Sequence, residues 1–195
     1  MLSYHFPVYL ASTSPRRREI LKKIVSRFEV LSISNVETSL FKGEPEVLTR
    51  KNAYLKMFKA KKSITDPCYL IISADTLVVI SGKIFGKPTS REEAINFWQS
   101  LVGKTHEVIT GVAFSFVNNR SSILCLYSEK AFVTFNHVSS EEVISYIDRK
   151  KPYDKAGAYG IQELPIHFIS KIEGDMDNII GLPCISLEVA LERYS

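Results

Sequence analysis

Apolar and polar positions along this chain switch repeatedly between a period of two and a period near 3.6, which predicts strands and helices in alternation. Val8–Ala11 reads as a strand, Pro15–Ile24 as a helix, and Phe28–Ile33 as an alternating strand. Pro45–Lys62 predicts a second helix with Leu48, Leu55 and Phe58 on one face. Tyr69–Ile80 is a β-rich, mostly apolar run that turns at Ser81-Gly82. Ser90 and Glu93 form a capping box for a third helix, whose Ala94, Phe97, Trp98 and Leu101 fall at the spacing of a core-facing stripe. His106–Phe116 and Ile123–Phe135 read as long antiparallel strands joined around Asn118-Asn119. Ser139 and Glu142 cap a further helix that buries Val143, Ile144 and Ile147, with Val138 as a staple. A Gly-rich stretch and a strand near His167–Ile172 follow. Pro183 then opens a last helix with Leu187, Ala190, Leu191 and Tyr194 on one face. The order predicts an α/β protein, a mixed sheet with flanking helices. With neither repeat nor long linker, residues 1–195 read as a single domain.

Composition narrows the class. Hydrophobic residues make up 45% of the 195 and charged residues 24%, the balance of a globular chain and not of a disordered, collagenous or coiled-coil one. Apolar runs such as Tyr69–Ile72 and Leu77–Ile80 break well short of the ~18–20 residues a membrane span requires. The opening MLSYHFPVYLAS lacks a basic leader and a long apolar run, so neither a signal peptide nor a membrane partner is expected. An excess of 25 Lys+Arg over 21 Asp+Glu suits a nucleic-acid surface, or an enzyme gathering cations around an anionic small molecule. Lys59, Lys61 and Lys62 read as a solvated helix end, and the absence of a basic stripe with interleaved aromatics argues against nucleic acid. Cys68, Cys125 and Cys184 lie far apart, and His5, His106, His137 and His167 show no metal-ligand spacing, so a reducing cytoplasm is the expected setting.

Four segments could carry chemistry. In LASTSPRRREIL a strand ends near Ser12, Ser14 is placed to cap a helix, and Pro15 takes its first position. Such a turn aims backbone N–H groups outward, and Arg16 and Arg17 add bidentate phosphate binders; an ordinary capped helix with exposed arginines reads as well from spacing alone. Asp75, in YLIISADTLVVI, is a carboxylate in an apolar run, expensive to bury unless paired, hydrogen-bonded or metal-bound. It could activate water as a base, hold magnesium or manganese, or simply cap a turn. Lys87, between Gly86 and Pro88, is a cation in a stiff turn ahead of a capped helix. In DKAGAYGIQ, small residues allow a flat ligand to approach, and Gln162 offers a donor and an acceptor for reading a base, or is a surface glutamine. Phosphate-loop, dinucleotide-binding and nucleophile-elbow motifs are missing.

Taken in order, LASTSPRRREIL, Val36-Glu37, Ala53 with Lys56, SADTLVV, GKP, Glu93-Ala94, GKTHEVITGV, DKAGAYGIQ and NIIGLP resemble the Maf family of nucleoside triphosphate pyrophosphatases from Tyr9 to about Leu191. The resemblance implies an ITPase-like fold, two lobes around a central cleft on a mixed sheet, often paired as a homodimer. It implies hydrolysis of a nucleoside triphosphate between its α- and β-phosphates with a divalent cation, Mg2+ or Mn2+, in removing modified or excess nucleotides. By match to its motifs Asp75 is the proton acceptor and Glu37 a metal ligand, with Asp75 able to serve both roles. Ser12, Arg16, Arg17, Lys56 and Lys87 would hold the triphosphate, with Lys155 assisting. Gln162, Arg16 and Thr76 lie at positions that separate the dTTP/UTP branch from the 7-methyl-GTP branch, and the glutamine resembles the former. Two stretches depart from the family pattern: Glu163-Leu164-Pro165 where small residues are usual, and Asp175-Met176-Asp177 where an aromatic is usual. A preference for 7-methyl-GTP, and a non-catalytic nucleotide-binding role in septum formation, are the competing expectations.

Overall fold

The computed structural model describes residues 1–33 and 43–194. Its elements in chain order are β1 (Val8–Ala11), α1 (Pro15–Leu21), β2 (Glu29–Leu31), α2 (Pro45–Lys61), β3 (Tyr69–Ile80), β4 (Lys83–Phe85), α3 (Arg91–Leu101), β5 (Thr105–Val117), β6 (Ser122–Phe135), α4 (Ser140–Lys150), β7 (Ile169–Glu173), α5 (Met176–Ile180) and α6 (Cys184–Leu191). Among the described residues they form a seven-stranded sheet in the order β2-β1-β3-β5-β6-β7, with β4 paired to β3 off that path. β1 runs parallel to β2 and to β3, whereas β3–β4 and β6–β7 are antiparallel, so the sheet is mixed and the class is α/β.

By contact density the chain divides into two compact units. The first comprises Met1–Asp75, Thr110–Glu129 and Gly181–Ser195; the second comprises Thr76–Ile109 and Lys130–Ile180.

In the first unit the packing of α2 differs from the sequence expectation. Its buried stripe is Leu48, Thr49, Asn52, Ala53, Met57 and Ala60; Leu55 is half-buried and Phe58 is 49% exposed. Close backbone approach explains the choice. A Cβ placed on Gly111 of β5 would lie 2.3 Å from the carbonyl carbon of Thr49 and 2.5 Å from the amide nitrogen of Arg50. At the point of closest approach the helix presents the short side chains of Thr49 and Ala53 to the sheet, while Phe58 lies outside. The Ser73 hydroxyl of β3 donates to the Ala53 carbonyl at 2.7 Å, which ties strand and helix directly.

The second unit is built around Trp98, which has no exposed surface. Its indole N–H donates to the Ala158 carbonyl at 3.0 Å, and its ring stacks on Phe135 at 5.0 Å and 8°. The edges of Tyr146, Tyr159 and Phe168 close the cluster. α4 carries the expected capping box on Ser139 and Glu142. Its buried residues are Val143, Tyr146 and Ile147, with Ile144 only half-buried. In α3 only half of the expected box forms: Ser90 accepts from the Glu93 amide, while the Glu93 carboxylate accepts from Thr89.

Other departures are short elements. α1 stops at Leu21, because Lys23 and Ile24 donate three residues back, to Ile20 and Leu21, in the tighter 3₁₀ pattern. β4 and α5, three and five residues long, fall below the length at which periodicity is legible. The β3–β4 hairpin turns at Ser81 and Gly82, with φ of 49° and 73°.

Buried His106 accepts or donates at 2.6 Å to the Tyr159 hydroxyl, its Nδ1 has no partner, and burial pushes its pKa down to about 4. The native state therefore holds the imidazole neutral, while the unfolded chain protonates near 6.5. This stability is fully present above pH 6.5 and is lost as pH falls toward 4, by up to about 3 kcal/mol. Urea titrations at pH 7.5 and 4.5 should show that loss in wild type and a smaller one in His106→Gln. Gly111→Ala should destabilise by about 2–4 kcal/mol, since the intruding carbon meets backbone and no side chain can swing away; a urea midpoint equal to wild type would contradict the close approach.

Candidate active site

Strand alternation turns Tyr69, Ile71, Ser73 and Asp75 to one face of β3, and the first two of these pack with Ala53 and Met57 of α2. Asp75 continues this face into a polar environment. It is 5% exposed, and its two oxygens accept from different residues of α2, Oδ2 from the Asn52 amide at 2.9 Å and Oδ1 from the Lys56 ammonium. Asn52 and Lys56 are one helical turn apart, so a single face of α2 brings both donors to one carboxylate. Sequence reading assigned Lys56 to the triphosphate through a family motif, did not join it to Asp75, and missed Asn52. The available signal was a polar side chain on the stripe that also holds Leu48 and Lys56.

The arginine turn lies in the same unit. Ser12 is buried, and its Oγ accepts from the Ser14 amide at 3.2 Å. Ser14 is the N-cap, its Oγ accepting from the Arg17 amide at 3.5 Å, and Pro15 takes the first helical position. The parallel register Leu10↔Ile72 sets the end of β1 beside the Ser73–Asp75 part of β3. Arg16 is half-buried. Arg17 is oriented by the last family motif: its Nε donates to the Gly181 carbonyl at 2.8 Å, where the chain turns at φ 131°.

The second unit holds the remaining expected residues. Thr76 follows Asp75 on β3, half-buried and on the alternate face. Lys87 is exposed, in a turn fixed by the Gly157 amide donating to the Gly86 carbonyl at 3.0 Å. Gln162 is exposed in the 3₁₀ turn Ile161–Glu163. Lys155 is buried, and its ammonium meets Asp154 at 2.8 Å and Glu163 at 3.4 Å. The Glu163 carboxylate, one of the departures from the family pattern, thus faces a lysine of its own chain. Of the second departure, Asp175 accepts from the Asp177 amide at the start of α5. Glu37 lies outside the described residues.

The described residues include no group of three or more His, Cys, Asp and Glu side chains suited to a metal. Magnesium and manganese, however, commonly take one or two carboxylates and complete their shell with water and phosphate oxygens. A buried carboxylate with lone pairs beyond its two bonds, as at Asp75, fits that demand.

Fold and site together define a mixed-sheet α/β protein that holds a buried carboxylate beside a lysine and near an arginine-bearing, serine-capped turn. The chain belongs to the Maf family: the family model for Maf-like protein matches residues 7–194. It is 42% identical to the dTTP/UTP pyrophosphatase of Thermosipho africanus over 176 residues, 90% of this chain and 87% of that protein. It is 41% identical to the dTTP/UTP pyrophosphatase of Carboxydothermus hydrogenoformans, over 96% of this chain and 98% of that one. Among solved structures it is similar to the Staphylococcus aureus Ham1 protein, at 16% identity and a TM-score of 0.47 over 97% of this chain and 100% of the other. No helix among the described residues is long and apolar enough to cross a membrane.

If Asn52 helps to replace the lost hydration of Asp75, Asn52→Leu should cost about 1–3 kcal/mol, the penalty of a buried acceptor left short of a partner. Chemical denaturation measures it, and a variant as stable as wild type would remove Asn52 from the support of the carboxylate.

Proposed function

We propose that this protein is a nucleoside triphosphate pyrophosphatase that hydrolyses dTTP and UTP to the monophosphate and pyrophosphate. The observation that carries the reading is Asp75, a carboxylate buried in an apolar strand and held by Asn52 and Lys56. A purely structural role does not require an acid there, since a neutral residue would be cheaper to bury. The dTTP/UTP activity ascribed to relatives about two-fifths identical over nine-tenths of the chain supports the choice of substrate.

Water adds to one phosphorus of the α–β anhydride, the bond from that phosphorus to the bridging oxygen breaks, and the monophosphate and pyrophosphate separate. The proton lost by the water passes to an Asp75 carboxylate oxygen. Asn52 fixes the rotamer of that carboxylate, and Lys56 offers positive charge beside the phosphates. Arg16 and Arg17 take phosphate oxygens, Arg17 with its guanidinium plane set by Gly181. Ser12 and Lys87 complete the phosphate contacts. Asp75, with Glu37, would hold a divalent cation, which when bound draws off charge developing on the phosphates. Gln162 reads the base: its amide oxygen accepts from N3–H of uracil or thymine, and its amide nitrogen donates to a neighbouring carbonyl. Arg16 and Thr76 contribute to the same discrimination. We place this activity in the cytoplasm, in keeping with three free cysteines, and in a homodimer as the family resemblance implies.

Pyrophosphate release from dTTP, UTP and 7-methyl-GTP, with magnesium and with manganese, tests the reading. The pyrimidine nucleotides should lead, and a wild type that prefers 7-methyl-GTP would move the protein to the other branch. Asp75→Asn should fold normally and lose roughly 10²–10⁴-fold in kcat. Full turnover by that variant would show that the carboxylate is not the base.

A further inference from the structure

Among the described residues Lys155 is the buried lysine, 8% exposed. An ammonium withdrawn from water needs anionic partners. Lys155 has one on either side, Asp154 Oδ1 at 2.8 Å and Glu163 Oε2 at 3.4 Å. Glu163 Oε2 is itself buried and has no hydrogen bond, so the ion pair is its compensation. The lysine stem is also in use. A Cβ on Gly160 would lie 2.9 Å from Lys155 Cε, 3.0 Å from Cδ and 3.2 Å from Glu163 Oε2, so the Gly160 backbone rests on the stem. From elsewhere the Tyr146 hydroxyl accepts from the Gly160 amide at 3.0 Å, and the Gly160 carbonyl accepts from the Glu163 amide at 2.9 Å. Lys155 therefore touches Gly160 and Glu163, which bracket Ile161 and Gln162. The Ile161 side chain is buried, and Gln162 stands exposed between these anchors.

We propose that Lys155 is a positioning residue for base recognition: with its stem beneath Gly160 and its ammonium between Asp154 and Glu163, it fixes the turn that presents Gln162. This inference rests on the pyrophosphatase reading above and deepens it by naming what holds the base reader. A hydrogen-bonding amide discriminates between bases only when its donor and acceptor cannot turn to suit either. Glu163, beside Gln162 in sequence, then acts on the base through Lys155, as the acidic end of a clamp.

UTP and CTP test this, because they share sugar and triphosphate and differ at the base edge that Gln162 would read. In Lys155→Met the UTP:CTP ratio of kcat/KM should fall roughly tenfold, and in Glu163→Gln severalfold. Inhibition by inorganic pyrophosphate should stay within about twofold of wild type in both. The double variant Lys155→Met/Gln162→Ala should discriminate no worse than Gln162→Ala alone, as expected when the lysine acts through the glutamine. Weakened pyrophosphate inhibition with UTP and CTP falling together would make Lys155 a phosphate ligand and overturn the proposal. An unchanged ratio in an active Lys155→Met would overturn it as well. Should Lys155→Met fail to fold, Glu163→Gln, at a partly exposed position, decides by the same ratio. A wild type inactive on UTP and dTTP defeats the activity reading and this proposal with it; an active wild type that does not favour UTP over CTP defeats the proposal alone.

Discussion

A carboxylate moved from water into an apolar strand loses hydration worth several kcal/mol, and only well-placed donors restore it. Asp75 obtains them from one helix, through Asn52 and Lys56. That demand reaches well beyond the site. For α2 to deliver both donors it must lie close to the sheet, and so Gly111 faces the Thr49 backbone with no room for a side chain. Ala53 and Thr49 are fully buried for the same reason, and Phe58 is turned to solvent. The close seat of α2 on the sheet thus serves the needs of a single acid.

The second unit meets a different need. Its loops carry polar residues that point outward, so their backbone must be held from within. Trp98 fastens Ala158 by its indole N–H, Tyr146 fastens Gly160 by its hydroxyl, and Gly157 fastens Gly86, next to Lys87. Aromatic side chains and a backbone hydrogen bond thus set the loops from below, beneath the exposed Lys87 and Gln162. Glu163 and Lys155 extend this internal support by an ion pair.

Much of the fold was legible in the sequence because long periodic elements and caps are local. Ser139 and Glu142 form the box their spacing predicts, and Trp98 falls in the core as its helical stripe requires. The acid of the site was legible by its incongruity, a lone Asp among apolar strand residues. What escaped was decided by contacts between distant segments. The buried face of α2 depends on Gly111 of β5, and the orientation of Arg17 depends on Gly181. Neither relation leaves a periodic trace. Asn52 was missed because a polar residue on an apolar helix reads as surface until the strand opposite it is known. The pairing of Lys155 with Glu163 escaped as well, since local spacing gave no reason to join these two residues of one loop.

The hydrogen bond between Arg17 and Gly181 spans 164 positions, and Tyr4 reaches the Leu191 carbonyl across 187. Ribosomes add roughly 5–20 residues per second, so the arginine turn waits about ten to thirty seconds for its far partner to be made. Both segments of the second unit, ending at Ile180, have by then been synthesised, while the first still lacks its third segment. The first unit spends that interval incomplete, with apolar surface open to chaperone capture or misassociation. Synthesis thus completes the guanidinium support late, since a ribosome-bound chain cannot assemble it before Gly181 has emerged.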